Sequence, residues 1–519
     1  MGIMITKNII LPNRYYDSVV LMRGSEKIKE EIGTNQVSLM MGTDANKDIL
    51  RTTGLLTPGG ESASPGDLII AVTIDDESKL EGLEERIGVI LAPKAVVKTE
   101  DYQPRSLEGA IEVMPLANLA LISIPGEYVD WEGEKALDKG LHLMIFSDNV
   151  SLETEIKLKK KGEEKGLLVM GPDCGTSIIH GAALAFANVV RRGNIGIVAA
   201  AGTGIQEVST LIHKMGGGIS HAIGTGGRDL SKEVGGITMK MGIRSLLTDK
   251  GTDVLVLVSK PPHPDVETAI YEVLKGVEKP VIINFLGSDG VEAKKRGFKF
   301  ARTMEDAAAM AIEASGGKAH LPELENMDKL IRKEIEKLSP GQKYLRGLYS
   351  GGTLCNETRI ILEDSGMKIF SNVTKNPDFK MKDVFKSKLD TLVDMGDDAF
   401  TKGAPHPMID NTKRKYRIIR EAQDPETAVI LMDVVLGYGS NPDPAGELIP
   451  AINEARKIAE EAGRHLIFAA SVCGVNEDPQ NAEEQTKKLR DAGVIVLPSN
   501  ARASRFVADI MKRILQLRV

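Results

Sequence analysis

Two short stretches of this 519-residue chain set glycine beside a hydroxyl where an anion could be held. Ala201-Gly202-Thr203-Gly204 follows the apolar run Ile195–Ala200, and Ser350-Gly351-Gly352-Thr353 follows Tyr344–Tyr349. Each then enters a helical pattern with an early glutamate, so one is a weak internal echo of the other. The first N–H groups of a helix have no partner inside it and lie at the positive end of its dipole. Glycines let an anion approach that backbone, and a Thr or Ser hydroxyl adds a donor. Gly202, Thr203, Gly204, Ser350, Gly351, Gly352 and Thr353 are therefore candidate phosphate-binding residues. The plain alternative is a pair of tight turns that bind nothing; two such loops in one chain, both with a hydroxyl, favour the anion. Neither loop has the ribose-binding acid of a dinucleotide fingerprint, and neither closes in Gly-Lys-Ser/Thr as a P-loop does.

Further candidates stand where other apolar runs end. In Ile223–Leu230, "IGTGGRDL", Gly226 and Gly227 could wrap a substrate and Arg228 could grip a phosphate or carboxylate with two prongs. A surface turn is the equal alternative. In Met170–Gly175, "MGPDCG", Asp173 and Cys174 are further substrate-binding candidates. As a nucleophile Cys174 has no base placed by sequence, and a packed thiol is the better reading of it. "VSKPPHPD" presents Lys260 and His263, and "DMGDDAFTKGAPHPMID" offers Asp397, Asp398, Lys402 and His406. For each histidine the blander reading is a loop residue bonded to backbone. No metal-ligand spacing occurs, so no metal is expected.

The elements that must carry these residues are legible as short Val/Ile/Leu runs alternating with longer charged, amphipathic stretches. That is the pattern of parallel sheets covered by helices, and the expected class is α/β with three or more parallel-sheet domains. Strands are expected at Val37–Met41, Leu68–Ile74, Leu119–Ile124, Leu141–Phe146 and Leu167–Met170, then at Ile195–Ala200, Ile219–Ile223, Val254–Val258 and Val281–Phe285. A third set comprises Tyr344–Tyr349, Thr391–Met395, Ala428–Val435, His465–Ala470 and Val494–Leu497. Ala95 to Ser106 has little periodicity and is read as a connection. Gly316 to Gln342 is charged and strand-poor, an interdomain linker containing a solvated helix.

Composition narrows the function. With 66 Lys+Arg against 73 Asp+Glu, a net charge of −7 and only 4% aromatic residues, the chain lacks the basic face and stacking surface of a nucleic-acid binder. Three well-separated cysteines form neither a disulfide framework nor a zinc site. No signal-like start or membrane-length apolar run is present, so a cytoplasmic protein without membrane contact is expected.

Taken together, "VSLMMGTDANKDIL", "LMIFSDNVSLE", "GLLVMGPDCGTS", "AGTGIQE", "HAIGTGGRDLSKEVGGI", "VSKPP", "MGDDAFTKGAPHPMID" and "MDVVLGYG" resemble the FdrA family, relatives of succinyl-CoA synthetase. The resemblance covers nearly the whole chain. It implies a CoA-binding-like Rossmann region over 1–190 and a flavodoxin-like domain of the synthetase alpha subunit over 193–318. A linker over 319–342 would then lead to the C-terminal domain of the beta subunit over 343–519. It also implies that the helices after Gly202 and Gly351 converge on one phosphoryl group. Three departures stand out. The stretch after Val281–Phe285 has no histidine to be phosphorylated, Lys260 falls where the synthetases place an acid, and the ATP-grasp half is missing. The family is associated with purine-ureide breakdown. The implied activity is that of a carbamoyltransferase component interconverting oxalurate plus phosphate with oxamate plus carbamoyl phosphate in allantoin catabolism. Arg228 or Lys260 would hold oxamate, and Asp397 or His406 would move the amide proton. Partner protein subunits and a homo-oligomer are expected, with CoA the one cofactor in question. An acyl-CoA synthetase and a non-catalytic scaffold remain the alternatives.

Overall fold

The computed structural model describes residues 5–12, 14, 16, 18–34, 36–80, 82–91, 104–324, 326–402 and 404–516. The chain divides into two compact units, Met1–Gln103 with Asp398–His406, and Pro104–Asp397 with Pro407–Val519.

In the first unit, strands β1 (Ile5–Leu11), β2 (Val37–Met41) and β3 (Leu68–Ile74) form a sheet with β3 in the middle, antiparallel to both neighbours. Leu68, Ile70, Val72 and Ile74 join one apolar cluster with Ile28 and Ile87 of the covering helices, while Ile69 and Ala71 join another with Leu50 and Leu55. This corrects the expectation of a parallel Rossmann region running to residue 190. A strand buried on both faces is apolar throughout whichever way its neighbours run, so Leu68–Ile74 carries no sign of direction. The connection read at 95–106 lies mostly outside the described residues.

The second unit opens with a small parallel sheet of β4 (Leu119–Ile122), β5 (His142–Ile145) and β6 (Val169–Met170), arranged in chain order. A seven-stranded sheet follows, of β7 (Thr176–Ile179), β8 (Ala182–Ala185), β9 (Arg192–Ala199), β10 (Ile219–Gly224), β11 (Val254–Ser259), β12 (Val281–Phe285) and β13 (Lys299–Phe300). Its order is β13-β12-β11-β9-β10-β7-β8. Strand β7 pairs antiparallel with β10 and with β8 beyond it, so this sheet begins before residue 190, inside the region assigned to the preceding domain. Short, partly exposed strands such as Ala182–Ala185 give little apolar signal.

The last sheet is six-stranded and wholly parallel: β14 (Tyr344–Tyr349), β15 (Phe370–Ser371), β16 (Thr391–Asp394), β17 (Thr427–Val435), β18 (Ile467–Cys473) and β19 (Ile495–Leu497), in the order β15-β16-β14-β17-β18-β19. One apolar core joins the two large sheets, from Ile197 and Val256 through Ile205, Val208, Leu354 and Leu362 to Leu345, Val429 and Phe506. The helix Met327–Ile335 is docked on this core rather than solvated: Ile331 is buried, and Met327, Leu330 and Ile335 pack beside it. Its apolar stripe at helical spacing is masked by the surrounding charges.

Both large sheets reverse their winding in the middle. The chain passes from β9 to β10 on one side and then crosses to β11 on the other; likewise it passes from β14 to β15 and β16 before crossing to β17. At such a reversal the loops part and leave a crevice beyond the strands' carboxyl ends.

Candidate functional site

The helices Gly202–Lys214 and Gly352–Asp364 start at these two reversals. Their N-cap residues, Ala201 and Gly351, supply no side-chain cap. Among the described residues, the backbone N–H groups of Gly202, Thr203, Gly204, Gly352, Thr353 and Leu354 donate no hydrogen bond. Among the described residues the hydroxyls of Thr203 and Thr353 have no partner either, although Thr353 is only 8% exposed. The first N–H groups of a helix lack an intrahelical partner, and two helix starts with their donors unspent can receive an acceptor.

The two starts meet. A Cβ on Gly351 would lie 3.0 Å from the Thr203 methyl, and one on Gly204 would lie 3.3 Å from the Thr353 methyl. Each threonine thus fills the space that the other turn's glycine leaves. On the open side, Gly202 faces Gly175 and Thr176, whose Oγ1 is 3.4 Å from where its Cβ would stand. The "MGPDCG" loop accordingly walls one flank of the site.

The turn before the second helix is held from below by a carboxylate. Asp433, buried in β17, accepts the N–H of Ser350 at 2.8 Å, the N–H of Gly351 at 2.7 Å and the Ser350 hydroxyl at 3.1 Å. Arg414, also buried, donates to Asp433 Oδ1 at 3.1 Å and to the carbonyls of Asp433 and Leu348. Ser350 and Gly351, read from sequence as phosphate-binding, therefore spend their donors on shaping the turn. Asp394, the last residue of β16, lies over Gly352, where a Cβ would run into its Oδ2. Its Oδ1 accepts the N–H of Gly396 at 2.9 Å. Burial pushes the Asp394 carboxyl up to about 7, opposed by the Gly396 N–H and Lys260 and reinforced by Asp397 and Asp433. Lys260, at the end of β11, is exposed.

One turn further along, the early glutamates of the echo have a structural task. Glu207 accepts the N–H of Asn500 at 3.0 Å, and Glu357 accepts those of Met304 at 2.6 Å and the Asn500 side chain at 2.8 Å. Each site helix thus caps the start of a helix that follows the opposite sheet. Burial raises both carboxyls, that of Glu357 to about 8.

Other sequence candidates are placed elsewhere. Arg228 donates from Nε to Glu155 and from Nη2 to the Val150 carbonyl, both at 2.8 Å. Its neighbour Asp229 is buried against Lys159 at 2.7 Å and accepts the N–H groups of Thr238 and Met239. Gly226 abuts the Pro172 carbonyl, whereas Gly227 is open. The "IGTGGRDL" motif thus ties the helix Leu152–Lys165 to the seven-stranded sheet. Cys174 is a packed thiol, turned towards the Thr176 carbonyl and Ser177 and pushed up to about 11 by burial, which corrects its reading as substrate-binding. Asp173 is exposed, with its N–H donated to the Ser147 carbonyl at 3.0 Å. His263 caps the helix Pro264–Val273, the blander of its two readings. Asp397 and His406 fall in different units. Sequence reasoning missed Asp394, Asp433 and Arg414. The signal for Asp433 is a lone acid inside the apolar run "LMDVV", a place a charge occupies only with partners.

The chain matches three family models: "AllF, heavy metal-associated domain" over residues 4–105, "CoA binding domain" over 190–287 and "CoA-ligase" over 348–510. It is 44% identical to YahF of Escherichia coli (strain K12), over 96% of this chain and 97% of that one. It is 26% identical to succinate–CoA ligase [ADP-forming] subunit alpha 2 of Archaeoglobus fulgidus, over 35% of this chain and 63% of that one. Among solved structures, it aligns with the dinucleotide-forming acetyl-coenzyme A synthetase 1 of Ca. Korarchaeum cryptofilum at 16% identity and a TM-score of 0.33, over 81% and 85% of the two chains.

These names suggest two bound groups, a heavy-metal ion and CoA. Residues 4–105 contain neither cysteine nor histidine, so a soft heavy-metal ion finds no thiolate or imidazole there. For CoA, the matched residues 190–287 span β9 to β12, and their sheet reverses its winding between β10 and β11, so the crevice in which a nucleotide half would sit is present there. No described helix is long and apolar enough to cross a membrane. The three matched regions in this order, with full-length similarity to YahF and partial similarity to succinate–CoA ligase alpha subunits, show that the chain belongs to the FdrA family, α/β relatives of succinyl-CoA synthetase.

Proposed function

We propose that the chain is a component of a carbamoyltransferase that interconverts oxalurate plus phosphate with oxamate plus carbamoyl phosphate, together with partner subunits. The observation that carries this reading is the meeting of the two helix starts, with N–H groups and the Thr203 and Thr353 hydroxyls unspent on adjoining turns. A phosphoryl group accepts from every side and suits such a cradle. Lys260 adds positive charge at the end of β11 and could hold the oxamate carboxylate. Catalysis would rest on positioning and on stabilising the oxyanion of the tetrahedral carbamoyl adduct.

Two further points support the reading. After β12 the chain has no histidine between Leu286 and Ala319, and Gly287 there leans on Ile360 of the second helix, 3.4 Å from where its Cβ would stand. Phosphate is then a free substrate rather than a covalent intermediate. The AllF-like match at residues 4–105 accords with an allantoin-related role. Incubating the full chain, alone and with proteins that copurify with it, with oxalurate and inorganic phosphate should yield carbamoyl phosphate. No product with any partner set removes the proposal.

The CoA-ligase match favours a second reading, an acyl-CoA synthetase. It requires a phosphorylated enzyme. Incubation with γ-labelled ATP is expected to leave no acid-labile label on the chain, and label on a histidine would favour this reading instead.

A further inference from the structure

We propose that Asp394 carries the proton of this site: it is protonated while a phosphoryl group lies at the two helix starts, and it passes that proton to the departing nitrogen. The inference rests on the phosphate reading above.

The position of Asp394 is fixed by the sheet. β16 pairs with β14 so that Asp394 stands opposite Tyr349, which brings its carboxyl level with the turn into the second helix. The Asn372 side chain pins its backbone from both sides, donating to its carbonyl at 2.8 Å and accepting its N–H at 2.9 Å. Oδ1 is held by Gly396, whereas Oδ2, over Gly352, takes no hydrogen bond among the described residues. A carboxylate in that position would repel the very anion that the unspent donors invite. One proton on Oδ2 removes the conflict, because a protonated carboxyl donates where a carboxylate only accepts.

The surroundings bear on the same choice. Asp397 from its own loop and Asp433 from β17 disfavour a negative Asp394, Lys260 from the end of β11 favours it, and the Cys355 thiol of the second helix, held neutral by burial, adds no charge. The carboxyl accordingly sits near neutrality, where an acid–base residue can work in both directions.

The reaction balances around this one proton. An oxygen of hydrogen phosphate forms a bond to the ureido carbonyl carbon of oxalurate. The carbon–nitrogen bond then breaks with its electron pair staying on nitrogen, and that nitrogen takes the Asp394 proton to become the oxamate amide. The phosphate hydroxyl proton restores Asp394, and no other co-reactant is needed.

The test uses the full chain and two probes, inorganic phosphate and sulfate, the second of which does not titrate near neutrality. Calorimetry in buffers of differing ionisation enthalpy should show sulfate binding with proton uptake above pH 7, and affinity falling about tenfold per pH unit there. Asp394→Asn should bind sulfate with no uptake and no such pH dependence. Wild-type binding that is independent of pH and takes up no proton overturns the inference and leaves the phosphate reading standing. Failure of both ions to bind at millimolar concentration removes the reading and the inference together. In turnover, Asp394→Asn should lose about 100-fold or more while sulfate still binds. Asp394→Ala, which vacates the space over Gly352, should regain activity with added formate. Turnover of Asp394→Asn within twofold of wild type overturns the catalytic role.

Discussion

Thr203 and Thr353 stand in reciprocal contact, each methyl against a glycine of the other's turn, at 3.0 Å from the Cβ position of Gly351 and 3.3 Å from that of Gly204. Residues 150 positions apart in the chain thereby bring two unspent helix starts to one place, and the predictions below test what that place does.

Aspartate substitutions at the two turns should differ in kind. Around Gly202 the nearest atom to a new Cβ is 3.4 Å away, so Gly202→Asp fits, and its charge suits the start of a helix. The variant should melt within a few degrees of wild type yet lose phosphate binding, because the anion site is already filled. Gly352→Asp would collide with Asp394 and should lower the melting temperature as well. Calorimetric titration with phosphate alongside thermal melts separates the two; retained binding in Gly202→Asp removes that helix start from the site.

Arg414 and Asp433 form a buried pair under the second turn. Arg414→Leu leaves the Asp433 carboxylate without its cation and should cost about 3–5 kcal/mol. Urea unfolding measures this directly, and a loss below about 1 kcal/mol means the N–H groups of Ser350 and Gly351 satisfy Asp433 on their own.

Glu357 should make stability fall with rising pH. Its ordinary value is 4.5 and burial raises it to about 8 in the folded chain. Below 4.5 both states hold the proton and the contribution is intact. Between 4.5 and about 8 the unfolded chain gives up the proton while the folded chain keeps it, so stability declines and is lost through the folded value. Glu357→Gln should be less stable than wild type near pH 5, since one acceptor is gone, but its melting temperature should change less from pH 5 to 9. Parallel curves for the two proteins would show that Glu357 does not titrate late.

Cys174, Cys355 and Cys473 are all buried, and burial raises each thiol, that of Cys174 to about 11. Ellman's reagent at pH 8 should find no fast-reacting thiol in the native chain and three after denaturation. Rapid native labelling of Cys174 would reopen a chemical role for it.

Most parallel strands of the two large sheets were legible because they are short apolar runs closed by small residues, and Val281–Phe285 and Tyr344–Tyr349 stand where that pattern puts them, whereas the two-residue strands Lys299–Phe300 and Phe370–Ser371 carry no such run. The glycine–hydroxyl turns were legible for the same reason: a strand that enters a helix at once needs small residues there. Strand direction was not. Leu68–Ile74 reads the same in a parallel or an antiparallel sheet, and the sheet in which it lies is decided by pairing with Ile5–Leu11, over fifty residues away. The division of labour among polar residues was equally hidden. Ser350 looks like Thr353 in sequence, but Asp433 claims one and leaves the other free. Arg228 looks like an anion grip until Glu155 takes its Nε. Such partners come from distant strands and helices, and local spacing does not record them.

The crossed caps of Glu207 on Asn500 and Glu357 on Met304 bear on how this chain could be divided. A protease cut between residues 319 and 342 would sever the polypeptide but leave each half gripping a helix of the other, so the nicked protein should run as one species. Produced separately, each half would present a helix start stripped of its acceptor, Met304 without Glu357 in one and the Asn500 N–H without Glu207 in the other. Two genes encoding the halves would then have to yield their products together and in equal amounts, and a single reading frame meets that requirement without regulation.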